Sequence, residues 1–385
     1  MKPIYMDHGS TTAVDPDVFR IMTPYFTEIF GNASSLHSYG EQATGGLNAS
    51  RQTVATAIGA HPEEIIFTSG GTESDNLAIK GIAYRNQDRG RHIITSNIEH
   101  PAVRNTCAYL EKHGFEVTYV PVNERGLLDV ESVREAIRDD TILITVMHAN
   151  NEIGTIQPIE EICALVRDQG IYVHTDAVQS IGKVPVDVTR MGVDLLSMSS
   201  HKIYGPKGVG ALYVRNGTNI EAISHGGSHE RGIRAGTENI PGIVGFARAM
   251  ELAQGRFDRD CEHLRSLRDR MIGKIQDSID HAYLNGDCEQ RLVNNVNIRF
   301  SYVEGEAMLL LLNNKGIAVS TGSACSSKSL KPSHVLEALG LAPEELHGSL
   351  RITLGRENTV AEVDRVVEAL VEIIGKLRAM SPLAQ

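Results

Sequence analysis

Between residues 64 and 214 the chain repeats one pattern, a short run rich in β-branched and other apolar residues followed by a helix-like stretch or a connection. The runs are EIIFTS (64–69), HIITS (92–96), FEVTYVPV (115–122), TILITVMHA (141–149), IYVHTDA (171–177), VDLLSMS (193–199) and GVGALYV (208–214). Helix-like stretches such as TESDNLAIKGIAY (72–84), PAVRNTCAYLEKHG (101–114) and IEEICALVRDQG (159–170) lie between them. Strands alternating with helices of this length require right-handed crossovers and a mostly parallel sheet. Several runs are apolar nearly throughout, as strands covered on both faces must be. The expected class is α/β, with a mostly parallel seven-stranded sheet.

Past about residue 240 the pattern changes. A long charged helical region (240–278) leads to fewer strands, at 294–300 and 349–355, and to an amphipathic helix at 359–378. With 385 residues, of which 41% are hydrophobic and 22% charged, the chain has material for two domains. The expected division is a large domain at 13–257 and a smaller α+β domain made of 1–12 and 258–385.

Charge and cysteine usage exclude several classes. The net charge is −11 and no basic run stands out, which argues against a nucleic-acid binder. MKPIYMDHGS has no apolar signal region and no run of 18 apolar residues occurs, so no membrane segment is expected. The five cysteines, Cys107, Cys163, Cys261, Cys288 and Cys325, are scattered without C-x-x-C. They suit a reducing cytosol better than a disulfide framework or a zinc site, and a cytoplasmic protein is expected.

Three stretches carry chemistry. In FTSGGTESDN (67–76) a glycine pair joins a strand to a helix start, where backbone amides favour an anion and Thr72 adds a hydroxyl. A plain turn would read the same way. In IYVHTDAVQS (171–180) Asp176 stands at the C-terminal end of an apolar strand, where open α/β sheets place ligand groups; a helix N-cap is the alternative. In SMSSHKIYGPKGVG (197–210) Lys202 follows a strand, placed for Schiff-base chemistry or simply solvated. A phosphate cup, an acid and an amine at neighbouring strand ends together match pyridoxal phosphate, whose pyridine nitrogen needs a carboxylate and whose aldehyde needs an amine. The dinucleotide fingerprint G-x-G-x-x-G is absent. A fourth stretch, TGSACSSKS (321–329), sets Cys325 among small polar residues, poor company for a core thiol.

These stretches, with EHPAV, HANNEIGTIQPI, GGSHERGIRAGTEN, YVEGEAML and SLRITLGR, make the chain resemble the NifS/IscS-type cysteine desulfurases. Those are pyridoxal-phosphate enzymes of the aspartate-aminotransferase fold (fold type I, class V aminotransferase family). The resemblance implies that Lys202 carries the cofactor, Asp176 pairs with the pyridinium nitrogen and Gln179 reaches the ring's phenolic oxygen. It implies that His100 stacks on the ring and assists proton transfer. Gly71, Thr72, Ser199 and His201 would hold the phosphate, with Thr237 contributed by the partner subunit of a homodimer. Asn151 and Arg351 would hold the cofactor oxygen and the substrate carboxylate. Cys325 would take sulfur from L-cysteine as a persulfide, leaving L-alanine, and pass it to an iron–sulfur scaffold protein or another sulfur acceptor. Cys325 is also the candidate for a transient iron–sulfur cluster ligand.

Two departures and two rivals accompany the resemblance. MDHGSTT stands where relatives more often read DNAATT or DYSATT, so His8, Gly9 and Ser10 are unusual near the substrate. The sequence ends at SPLAQ, shorter than the scaffold-docking tail of the housekeeping type. The nearest rival is a selenocysteine lyase or a small-amino-acid aminotransferase, which would share Lys202 and Asp176. The other is a non-catalytic scaffold using Cys325 for a cluster.

Overall fold

In the computed structural model, which describes residues 2–321 and 332–380, the described strands in chain order are β1 (Ile4–Tyr5), β2 (Ile65–Thr68), β3 (His92–Ser96), β4 (Glu116–Val120), β5 (Thr141–Thr145), β6 (Tyr172–Asp176), β7 (Leu195–Ser199), β8 (Gly210–Val214), β9 (Ala282–Leu284), β10 (Asn295–Phe300), β11 (Ile317–Ala318) and β12 (Ser349–Thr353). Seven of them form one sheet in the order β2-β8-β7-β6-β5-β3-β4. Pairings among β7, β6, β5, β3 and β4 are parallel, and β8 is antiparallel to both β7 and β2. The class is therefore α/β with a mostly parallel sheet, as expected for fold type I.

The seven strand positions read from sequence are all present, 92–96 with its bounds unchanged and the other six shortened. The largest trim is at 141–149, where the strand closes at Thr145. The apolar run continues because Val146, Met147 and Ala149 are also buried. The chain is turned there by Asn150, whose Oδ1 accepts from the amides of Glu152 and Ile153, an Asx-type turn. The helical region 240–278 is two helices, Ile240–Gly255 and Phe257–Ser278, which meet at Arg256.

Both faces of the large sheet are covered, which explains why its central strands are apolar nearly throughout. On one face Ile65, Ile144, Val173, Leu196 and Ala211 pack with Val54, Ile243 and Phe246. On the other Ile66, Ile93, Leu143, Leu195 and Leu212 pack with Leu77, Ile82 and Val103. A third cluster joins Ile4 and Met6 to Leu264, Met271, Ile298, Ile352, Leu370 and Ile373. The first strand thus belongs to the core built by the last third of the chain, pairing in parallel with β11. Among the described residues no helix is long and apolar enough to cross a membrane.

Candidate active site

The C-terminal ends of β2, β3, β5, β6 and β7 open onto one cavity of about 610 Å3, where an open parallel sheet gathers ligand groups. The cavity is lined by Gly71 and Thr72 after β2, His100 after β3, Asn151 after β5, Asp176, Gln179, and Ser199, His201 and Lys202. Arg351, from β12, closes it from the side of the third core cluster.

The anion cup is built by backbone. Gly70 has φ of +149°, a conformation that L side chains rarely adopt, and it starts the helix Gly71–Asn86. A Cβ on Gly71 would lie 2.6 Å from Val178 Cγ2, so only glycine lets the helix start reach this close to the wall. Just outside the cup, Glu73 accepts from Ser69 N at 2.6 Å and from Arg234 Nε at 2.8 Å, which fixes the turn. His201, whose Nδ1 is 3.1 Å from Thr11 Oγ1, is held neutral. Burial first, then the nearby Lys202, Lys207 and Lys183, push it down to about 4.

Asp176 is 6% exposed and its Oδ1 accepts from Val178 N at 2.9 Å. Burial raises its pKa, opposed by the charges of His100 and Lys202, so a cation brought to its free edge would be strongly held. His100 caps the helix Pro101–Glu111, Nδ1 accepting from Ala102 N at 3.1 Å. Burial lowers its pKa, Asp176 raises it, and Lys202 and His334 lower it.

Lys202 Nζ donates to the carbonyls of Gly9 (2.6 Å) and Ser10 (2.8 Å), and Gln179 Nε2 donates to Gly9 O at 3.0 Å. The unusual N-terminal segment therefore borders the cavity directly. His8, just outside it, is packed so tightly that a Cβ on Gly355 would sit 2.2 Å from its ring. Arg351 is 3% exposed; its Nη1 donates to Asn151 O at 3.1 Å, and its Nη2 to Ser10 Oγ at 2.7 Å and Asp7 Oδ1 at 3.0 Å. Its Nε is buried without a partner, a donor left over for a carboxylate.

These groups fit pyridoxal phosphate: a glycine-lined helix start for the phosphate, a buried acid for the ring nitrogen and an amine within the same cavity. Thr237 is exposed and is not among the residues lining the cavity of its own chain. Cys325 lies outside the described residues. Among the described residues no group of three or more His, Cys, Asp or Glu side chains is placed to hold a metal ion.

Several lining residues escape sequence reasoning. Asp75 and Arg104 line the cavity, one helical turn beyond Gly71 and His100, so the four-residue spacing could have found them. Glu152 and His334 line it too, but no local pattern marks them. Ser333 Oγ donates to Glu152 Oε2 at 2.6 Å, and His334 Nε2 is 2.9 Å from Glu99 O. These long-range contacts join the start of the helix His334–Ala338 to the cavity wall.

The model of the aminotransferase class-V family matches residues 4–366. A relative named cysteine desulfurase IscS from Methanosarcina thermophila is 56% identical over 382 residues, 99% of this chain and 94% of the relative. Its namesake from Dictyoglomus turgidum is 51% identical, with 100% and 98% covered. Among solved structures, a NifS-like protein superposes with a TM-score of 0.92 at 39% identity, covering 97% of this chain and 99% of the other. A structure described as SspA in complex with cysteine gives 0.82 at 38%, covering 92% and 100%. With a family match that spans both the sheet and the strands around Arg351, the chain belongs to the aminotransferase class-V family, in its cysteine desulfurase branch.

Proposed function

We propose that the cavity at the sheet's C-terminal edge converts L-cysteine to L-alanine and hands the sulfur to Cys325. The convergence of Asp176 and Lys202 on one cavity with the Gly70–Gly71 helix start carries this reading. The enzyme is a pyridoxal-phosphate-dependent cysteine desulfurase, and the cofactor supplies an electron sink for charge developing at the substrate's α-carbon.

The chain's own groups divide the work. Gly71, Thr72, Ser199 and His201 hold the phosphate, and Asp176 keeps the ring nitrogen protonated by offering a carboxylate that burial makes eager for a cation. Gln179 meets the phenolic oxygen. Lys202 would hold the cofactor's aldehyde carbon, and its amine would move a proton at the substrate's α-carbon. His100, half-buried and with its pKa lowered, is a neutral base beside the ring. Arg351 takes the substrate carboxylate, oriented by Asn151 O and Asp7. The Cys325 thiolate attacks the substrate sulfur: a sulfur–sulfur bond forms, the Cβ–S bond breaks, and Cβ takes a proton to give alanine.

The reading extends to the assembly. A second copy of the chain is the proposed partner: Phe19, Phe26, Phe30, Leu36 and Tyr39 are exposed apolar side chains within one 21-residue stretch, and Thr237 is exposed without lining its own cavity. A sulfur acceptor such as an iron–sulfur scaffold protein is the proposed downstream partner. We assign 13–257 to the cofactor-binding domain and 1–12 with 258–385 to the smaller one; the third core cluster supports it.

Alanine formed from L-cysteine with sulfide released under a thiol reductant, and lost in Cys325→Ala, is the expected result. Amino transfer to a 2-oxo acid that survives Cys325→Ala would instead favour an aminotransferase.

A further inference from the structure

Behind the lysine of the site stands a second lysine that the mechanism above does not use. Lys183 is half-buried, and its Nζ donates to the carbonyl oxygens of Gln179 at 3.2 Å and Lys202 at 3.4 Å. Those carbonyls belong to the segments that follow two neighbouring parallel strands, β6 and β7. One ammonium, with three donors, thus spans the backbone of the residue assigned to the ring oxygen and of the residue assigned to the cofactor's aldehyde.

The surroundings make this a deliberate place for a charge. Lys183 faces a cavity of about 40 Å3 whose wall includes His8, Lys202, Tyr204, Asp260 and Arg356. Cys261, on the helix Phe257–Ser278, packs its Sγ 3.8 Å from Lys183 O. Among the described residues no carboxylate lies within ion-pair distance of the Lys183 ammonium, 4.0 Å. The charged groups across the cavity are engaged elsewhere, Asp260 with Arg259 at 3.0 Å and Arg356 with Asp15. His8 is pushed down to about 4, chiefly by burial, and Tyr204 up to about 12 by the same cause, so both are neutral at pH 7. Burial, followed by the charge of Lys202, brings Lys183 down to about 8, and it remains mostly a cation at neutral pH. A lysine kept only for packing gains nothing from a site with two carbonyls and no counter-ion.

We propose that Lys183 is a positioning residue for Lys202: it ties the backbone of Gln179 to that of Lys202 and keeps a positive charge behind the reactive amine. The inference rests on the reading of Lys202 as the cofactor lysine. A like charge nearby disfavours a second cation and so favours the neutral, nucleophilic amine. The tie sets the spacing between two groups that must meet one ring, where small displacements cost rate.

The test uses the holoenzyme loaded with pyridoxal phosphate, wild type and Lys183→Met. It follows the visible absorbance of the lysine-bound cofactor through a pH titration and measures kcat and KM for L-cysteine. Removing the charge should raise the titration midpoint by about 0.5–1 pH unit, with kcat about tenfold lower and KM changed less than about threefold. Lys183→Arg, which keeps charge and donors, should return the midpoint towards wild type. If Lys183→Met does not fold, Lys183→Gln, which keeps a polar donor without the charge, gives the same comparison. A merely structural tie would lower the melting temperature and leave the midpoint where it was, and that result overturns the proposal. A wild-type protein that binds no cofactor would overturn the reading of Lys202 itself, a failure visible before any variant is compared.

Discussion

Lys202 Nζ and Gly9 O are joined by a 2.6 Å hydrogen bond across 193 residues of sequence. The amine at the end of β7 is thereby held by the N-terminal segment, whose neighbouring strand β1 packs in the core of the last third of the chain. Packing in the core of the last third of the chain and the position of the Lys202 amine are linked through two carbonyls, those of Gly9 and Ser10. Replacing Lys202 by Ala should abolish the yellow colour of the purified enzyme and all alanine formation, with little change in melting temperature. Retained colour with visible absorbance unchanged would place the cofactor on another residue.

Arg351 is preorganised rather than mobile: Asn151 O, Ser10 Oγ and Asp7 Oδ1 hold both terminal nitrogens, and Nε is left unpartnered. A lysine has neither the fork nor the reach to keep these contacts and serve a carboxylate. Arg351→Lys should raise KM for L-cysteine by about tenfold or more, the loss of roughly one charge-assisted bidentate contact. Cofactor absorbance should remain. Steady-state kinetics beside a visible spectrum checks both halves.

The anion cup depends on the missing side chain of Gly71. Gly71→Ala would drive a methyl to within 2.6 Å of Val178 Cγ2, and the helix start would have to retreat from the phosphate proposed to bind there. Cofactor affinity should fall by about tenfold, in line with one or two weakened phosphate contacts. Adding Val178→Ala makes room and should restore most of the loss. Equilibrium dialysis of pyridoxal phosphate against the single and double variants measures it; a double variant as weak as the single one would show that Val178 is not the obstacle.

Glu99 predicts a pH dependence of stability. It is 1% exposed, its Oε1 accepts from Ser96 Oγ at 2.5 Å and Met147 N at 3.0 Å, and its Oε2 has no partner. Burial raises its pKa to about 8. An acid raised in this way binds its proton in the folded state while the unfolded chain has already released it. Stability therefore falls as pH climbs from the ordinary carboxylate range to about 8, then levels off. Glu99→Gln, which keeps the accepting oxygen, should flatten the fall in melting temperature between pH 6.5 and 8. The gain at pH 8 should be on the order of a few kcal/mol at most. Thermal denaturation at the two pH values decides it; parallel curves for the two proteins would contradict a neutral Glu99.

The large sheet was legible in sequence because burial on both faces writes its central strands as apolar runs with turn residues between them. Asp176, Ser199 and Lys202 were legible for a related reason, since a polar residue that ends such a run stands at the sheet's edge. The helix Ser38–Ala57 was not legible: glycines at 40, 45 and 46 and many small polar residues weaken its apolar stripe, and its helicity comes from packing on Ile240–Gly255. The direction of β8 was equally hidden, because alternation records which face is buried and not which way the strand runs. Site residues brought by distant elements, such as Glu152 and His334, carry no local signal; only the folded chain brings them together.

The most direct test of the central claim is the mass of the peptide containing Cys325 after the enzyme turns over L-cysteine with no reductant or acceptor present. The expected result is a peptide heavier by one sulfur atom, the extra mass removed by a thiol reductant, formed alongside alanine, and lost in Lys202→Ala. An unmodified Cys325 peptide in an enzyme that still makes alanine from cysteine would contradict it.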